Sequence, residues 1–477
     1  MTPRPDAPDR VLTRIADYVI RYRVRRRPAF EMARYCLLDS IACALDAQAY
    51  PECTKLMGPT VPGASLANGV RVPGTNFTLE PVKAAFDIST AIRWLEFSDT
   101  WVGVDGGHPS DNLGAILAMA DYLCRNGPAK RRHRIMVSDV LAALIKAYEI
   151  QGTLYLTTDF IELGLDSVSL VTVASSAIAT HMLGGSLGQI INAVSNAWLD
   201  GVSPRLYRMG ANAGWRKSWA AGDAASRAVM HALFAVRGEM GYHKALSAPQ
   251  WGFCDAVMRG KPVTIEHAFG THIVESILFK IPFPAHFHTQ TASECALRLH
   301  HLVKDRIGDI KAIHMRAHQR TMQSTYNSGP LPTSASRDPC VQYVAAIVLL
   351  HGNLTPRDFE DEAAADPRID VLRSKMTVRE DEGFTRNFFD SRKRTHSHSM
   401  RIEFRDGSST PEVQIDYPMG HARRRREGLP IVESKFRRSV ENAFTSRRRR
   451  RIFEVCGSLQ SLEQMPVDRF MDLFVLP

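Results

Sequence analysis

Residues 106–123, GGHPSDNLGAILAMADYL, gather His108, Ser110 and Asp111 at the mouth of an apolar run, with Glu96, Asp99 and Asp105 a short way upstream. An imidazole beside carboxylates is the equipment of general acid–base catalysis, because such groups can exchange protons at working pH. Asp111 has a second use. A short oxygen-bearing side chain ahead of a helix accepts hydrogen bonds from the first unpaired amides, so Asp111, with Ser110 beside it, is expected to cap a helix beginning near Asn112. Capping leaves His108 without a role, while Gly106 and Gly107 let the backbone turn tightly next to it.

A second group lies at 203–228, SPRLYRMGANAGWRKSWAAGDAASRA, where Arg205, Tyr207, Arg208, Arg216 and Lys217 surround Gly210 and Gly214 before a helix entered near Ser218. Guanidinium groups, an ammonium and free helix-start amides all present donors, which makes an anion pocket; a solvated basic turn is the plainer alternative. KIPFPAHFHTQTASECA, 280–296, sets His286 and His288 between two prolines and a helix, as site residues or as buried structural histidines. Tyr326 sits in the glycine-containing loop STYNSGP, and GLDSVSL, 164–170, reads as a helix entry capped at Asp166 or Ser167.

The elements that must carry these residues follow from hydrophobic periodicity. In SDVLAALIKAYEIQG, 138–152, Val140, Leu141, Leu144, Ile145 and Tyr148 form one helical stripe behind a cap at Ser138 or Asp139. Similar patterns at 31–46, 82–97, 112–124, 170–183, 188–198 and 222–236 predict an alanine-rich helical bundle. Past about residue 275 the period changes. Residues 310–318 and 399–417 alternate as strands, the latter turning at Asp406–Gly407, while 342–352 and 368–376 read as helices between them. Residues 431–477 are helical again, so the expected class is mainly α, with an α+β segment inserted between helical parts.

Composition agrees with a folded chain: 477 residues at 44% hydrophobic and 23% charged are enough for two or three domains with a sizeable core. The eight cysteines are scattered with no CxxC pair, which argues against a zinc ribbon, a redox motif or a disulfide scaffold. No apolar run reaches the roughly 18 residues of a membrane helix, and Asp6, Asp9 and Asp17 among the early arginines do not suit a targeting leader. A cytoplasmic location is expected. The net charge of +10 is concentrated in RVRRR at 23–27, HARRRREG at 421–428 and SRRRRR at 446–451. These runs lack interleaved aromatics and any zinc-finger or RNP pattern, so they are expected to be solvated faces or anion contacts rather than a nucleic-acid interface.

GHPSDNLGAILA, RKSWAAGDAASRAV, GEMGY…WGF, FPAHFHTQTA, CVQYVAAI, YPMGHARRR and LEQMPV, in unbroken order from about residue 15 onward, together resemble the 2-methylcitrate dehydratase branch of the MmgE/PrpD superfamily. The resemblance implies a large all-helical domain made from both ends of the chain (1–275 and 418–477), a smaller inserted α+β lid domain (276–417), a homodimer, and a cleft at the domain junction. It also implies dehydration of 2-methylcitrate, a step of propionate breakdown, with no cofactor, no metal and no iron–sulfur cluster. A tricarboxylate carries about three negative charges at neutral pH, so Arg205, Tyr207, Arg208, Arg216 and Ser167 are the expected substrate contacts. His108 suits the base, Lys217 charge stabilisation or proton delivery, and Glu96, Asp99, His286 and Tyr326 complete the expected catalytic set. Related members usually have Asp at the place of Glu96 and His at that of Ser167, while close dehydratases tend to have Glu at that of His286. Two alternatives remain at this level: a cis-aconitate decarboxylase-like enzyme, favoured by His286 and Tyr326, and a polyanion-binding protein using the arginine runs.

Overall fold

The computed structural model describes residues 7–127 and 134–476, so Asp6 of the leader reading lies outside the described residues. Helices dominate. The apolar stripe read at 138–152 becomes the helix Val137–Leu154, with Val140, Leu141, Leu144, Ile145 and Tyr148 all buried. It starts one residue before the expected cap: Asp139 is already in its first turn and accepts from the Met136 amide at 2.9 Å. Arg27–Asp46, Pro81–Arg93, Leu113–Asn126, Ser169–Met182, Leu187–Leu199 and Arg216–Val236 occupy the other predicted stretches.

Three of these helices approach unusually closely, and glycine is the reason. At Gly222 an added Cβ would collide with Thr90 Oγ1 and the Phe86 carbonyl, and at Gly114 with Ser89 Oγ and the Ala85 carbonyl. Both Leu113–Asn126 and Arg216–Val236 can therefore lie directly against Pro81–Arg93. That packing brings the end of one helix to the beginnings of two others.

One large buried cluster runs from Val11 through Ile281 and takes in Val432–Phe474, so both ends of the chain share a core. A second cluster, from Phe283 to Ile415, surrounds a four-stranded sheet in the order Met376–Glu380, Ile310–Ala317, His398–Phe404, Val413–Ile415. The first pair is parallel and the other two are antiparallel. Parallel pairing needs a crossover, supplied by the buried helix Val341–His351 followed by Pro367–Ser374. The turn read at Asp406–Gly407 is present, with Gly407 at φ 83°. Residues 277–281, read as part of the inserted segment, still pack into the first cluster through Ile277, Phe279 and Ile281.

Candidate active site

The helix Pro81–Arg93 delivers Arg93 at its last residue and Glu96 just beyond. The turn Pro109–Asn112 brings Asp111 behind His108, and Arg216–Val236 opens with Lys217 in its first turn. These ends meet in a cleft of about 890 Å³, mouth included, whose walls also take Ser167, Arg205, Arg208, His286, Gln323 and Ser324.

Glu96 sits at the centre in the left-handed backbone region, φ 49°, a conformation that costs a non-glycine residue about 1–3 kcal/mol and persists only where its surroundings enforce it. Here the enforcement is ionic. Lys280 Nζ lies 2.7 Å from Glu96 Oε1, Arg93 pairs with Oε2, and His108 Nε2 is 3.5 Å away. Burial on its own raises a carboxyl pKa, but Arg93, Lys280, His108 and Lys217 outweigh it and hold Glu96 well below the usual carboxylate range. Burial likewise brings the Lys280 ammonium down to about 8 in spite of Glu96.

His108 Nδ1 lies 2.7 Å from the carbonyl oxygen of Asp99. A carbonyl can only accept, so Nδ1 carries the hydrogen and the neutral ring keeps its lone pair on Nε2. Burial first, then Arg93 and Lys280, pushes the His108 pKa well below its ordinary value. His108 is therefore a neutral base whose free nitrogen faces a carboxylate able to stabilise the imidazolium. Asp99 contributes through this bond and does not line the cleft: its carboxylate accepts from Tyr148 Oη at 2.6 Å and from the Ser110 amide at 3.2 Å.

Asp111 corrects a sequence expectation. It makes no side-chain cap; it lies inside the turn that precedes Leu113–Asn126, with its carboxylate in the cleft wall 4.0 Å from Arg93. Its Oδ1 is buried with no hydrogen-bond partner among the described residues. Burial pushes its pKa up to about 7, more than Arg93 and Arg208 pull it down, so the acid form is substantially populated at neutral pH.

Arg205, Arg208 and Lys217 add further cations to the lining. Arg208 pairs with Asp166 and donates to the Lys217 carbonyl at 3.1 Å. Asp166 is not a plain helix cap: burial would raise its pKa, but Arg208 and Arg205 hold it down to about 2. Lys217 pairs with Asp338 and donates to the Ala335 carbonyl at 3.1 Å, joining the helical part to the sheet-containing part. Burial pushes Asp338 up to about 6 despite Lys217. Ser167 Oγ donates to the Gly106 carbonyl at 3.2 Å.

The structure thus brings together Glu96, His108, Ser167, Arg205, Arg208, Lys217 and His286 of the residues expected from sequence. Tyr207, Arg216 and Tyr326 do not line the cleft. The Tyr207 ring is flanked by the Arg208 and Arg216 guanidinium groups at 5.4 and 5.2 Å, Arg216 lies over Trp219 at 4.2 Å, and Tyr326 is 42% exposed beside Gln323 and Ser324, which do face inward. Arg93, Lys280 and Asp338 were not expected as site residues, Asp166 was expected as a helix cap, and Asp111 as a member of the acid–base stretch as well as a cap. Arg93 had a legible signal in its three-residue spacing from Glu96, and Lys280 stands two residues before Pro282 in the KIPFPAHFH stretch; Asp338 had none. The arginine runs are largely committed to structure. Arg424 pairs with Glu294 and Glu427, Arg425 donates to the Gly420 carbonyl, and Arg448 and Arg449 donate to the Val475 and Phe444 carbonyls.

Residues 13–266 match the MmgE/PrpD N-terminal domain and residues 283–459 the MmgE/PrpD C-terminal domain. Similarity to named proteins extends over the whole chain. The 2-methylcitrate dehydratase of Escherichia coli K12 is 48% identical over 471 residues, 98% of each chain. That of Cupriavidus necator is 48% identical over 476 residues, covering 99% of this chain and 98% of the relative. The mitochondrial 2-methylcitrate dehydratase of Yarrowia lipolytica is 43% identical over 477 residues, covering 99% and 91%.

Proposed function

The chain belongs to the MmgE/PrpD family, and from that membership we propose that it is a hydro-lyase converting 2-methylcitrate to 2-methyl-cis-aconitate within propionate breakdown. The observation that carries the reading from the site itself is that His108, with its Nδ1 on the Asp99 carbonyl and its Nε2 free, and Asp111, with a buried unpaired Oδ1, line one cation-walled cleft. His108 Nε2 takes the proton from the methyl-bearing carbon beside a carboxylate, the electron pair becomes the new C=C bond, and the hydroxyl on the neighbouring carbon leaves. Asp111 supplies the proton that turns the departing hydroxide into water. Glu96 stabilises the imidazolium, and Arg205, Arg208 and Lys217 hold the carboxylates as negative charge builds beside them. The lining offers Arg, Lys, His and Asp side chains for this work, with no cysteine among them.

The separate buried cluster Phe283–Ile415 supports the reading of 276–417 as a lid on a helical domain formed by 1–275 and 418–477. A cytoplasmic homodimer is proposed with it. No helix of the described residues is long and apolar enough to cross a membrane. Exposed Leu199, Met240, Tyr242 and Trp251 line one surface hollow of a kind that a second copy would cover.

The test of the activity is direct. Purified protein given 2-methylcitrate should produce a rise in ultraviolet absorbance from the new conjugated double bond; no rise with any citrate homologue removes the dehydratase reading, and carbon dioxide release from cis-aconitate would replace it with a decarboxylase. For Lys217, removal and replacement of the charge give different results. Lys217→Ala is expected to lower kcat/KM at least tenfold, about 1.4 kcal/mol, and Lys217→Arg to recover part of that, because the positive charge returns with altered geometry. Steady-state kinetics on both variants check this, and equal loss in both would assign Lys217 to the Asp338 contact alone.

A further inference from the structure

Four imidazoles meet behind the wall formed by residues 286–288, on three separate segments of the sheet-containing part. His288 comes from the turn before the helix Gln290–Val303, His318 from the end of the strand Ile310–Ala317, and His396 and His398 from the approach to and start of His398–Phe404. All four are buried. One ring nitrogen of each of His288, His318 and His396 lies within 4.8 Å of those of the other two, and Phe388 packs against all three rings, stacked on His318 at 4.3 Å.

Their hydrogen bonding is what sets these three apart from an ordinary histidine cluster. Nδ1 of His288, of His318 and of His396 is buried with no hydrogen-bond partner among the described residues. Three such orphans in one place run against the rule that buried polar atoms are paired. His398 is different: its Nδ1 lies 2.8 Å from Thr291 Oγ1 and its Nε2 3.3 Å from Thr321 Oγ1. Thr321 Oγ1 also meets His318 Nε2 at 3.1 Å, which fixes that ring and leaves its other nitrogen to face a ligand, the arrangement that outer-shell partners give to metal-binding histidines.

We propose that His288, His318 and His396 form a structural site for one tetrahedral transition-metal dication of the Zn²⁺ class, distinct from the elimination machinery. Imidazole nitrogens at about 2.0–2.1 Å from such an ion are about 3.3 Å apart, so binding draws in a cluster whose nitrogens now lie within 4.8 Å of one another. His288 also lines the catalytic cleft, which gives the ion an entry path and a source for a fourth, water ligand. The bound ion would tie the strand, the turn and the His396 segment together.

The experiment uses the full chain without a histidine tag, stripped with dipicolinate and titrated with Co²⁺, then Zn²⁺. The expected result is about one equivalent of Co²⁺ per chain with the intense visible absorption of tetrahedral coordination, bleached by Zn²⁺, and a Tm raised by Zn²⁺. His318→Ala and His396→Ala should each weaken binding at least tenfold, whereas His314→Ala, on the exposed side of the same strand, leaves it unchanged. Faint octahedral-type absorption, no binding at stoichiometric metal, or binding retained in both variants overturns the proposal. If either variant fails to fold, the spectrum and Tm of the unaltered chain decide it.

Discussion

His108→Ala should lower kcat on 2-methylcitrate by about 100- to 10,000-fold, the range a positioned general base supplies, while the protein stays folded. The size of the effect follows from the single free nitrogen at this position. Nδ1 is committed to the Asp99 carbonyl, so no other atom of the ring can take the proton, and the Glu96 oxygens are already engaged by Lys280 and Arg93. The stability cost is small by comparison: the ring meets Phe287 edge-on at 6.3 Å, and the hydrogen bond lost to Asp99 is worth about 1 kcal/mol. Initial rates and the melting temperature, measured on the same preparation, separate the two effects. Added imidazole should return part of the lost turnover if the missing group is a base. Near-normal turnover in the variant would reduce His108 to a loop residue.

The fold was largely legible because it is written in local periods. Val140, Leu141, Leu144, Ile145 and Tyr148 share a helix face and are buried together, and Asp406–Gly407 carries its own turn chemistry. The site was legible where a residue type announces itself, as His108 does after two glycines. It was not legible where function arises from charges meeting across the chain. Lys280 reaches Glu96 over 184 residues and Lys217 reaches Asp338 over 121, separations at which no spacing rule operates. The same limit explains the residues that proved peripheral. Arg216 and Tyr207 belong to a basic glycine-containing loop, but the Arg216 guanidinium lies over the Tyr207 and Trp219 rings instead of turning inward. Asp111 shows the reverse case: a local rule with a sound physical basis, helix capping, lost to a tertiary demand, because its carboxylate faces the Arg93 side of the cleft.

Asp111 is also where the pH dependence should reside. With the proposed roles, elimination needs His108 neutral and Asp111 protonated, and the first condition holds far into the acid range because the His108 pKa is well below its ordinary value. The second fails as pH rises through about 7, so turnover should fall about tenfold per unit above that point. Asp111→Asn keeps the shape but carries no proton to give; it should lower kcat at least 100-fold below pH 7 and abolish the alkaline limb. Stability depends on the same proton. A carboxyl raised from 3.8 to about 7 binds its proton more tightly in the folded state, so its contribution is complete below pH 3.8 and is lost as pH rises through about 7. The displacement corresponds to on the order of 4 kcal/mol. Above pH 7 the asparagine variant should therefore resist urea better than the unaltered chain, and the advantage should shrink toward pH 4. Unchanged turnover with this stability gain would make Asp111 a buried structural acid and leave proton delivery to Lys217. Loss of turnover together with the gain assigns the proton to Asp111, because a group held protonated in a cleft at the expense of the fold is one whose proton the reaction uses.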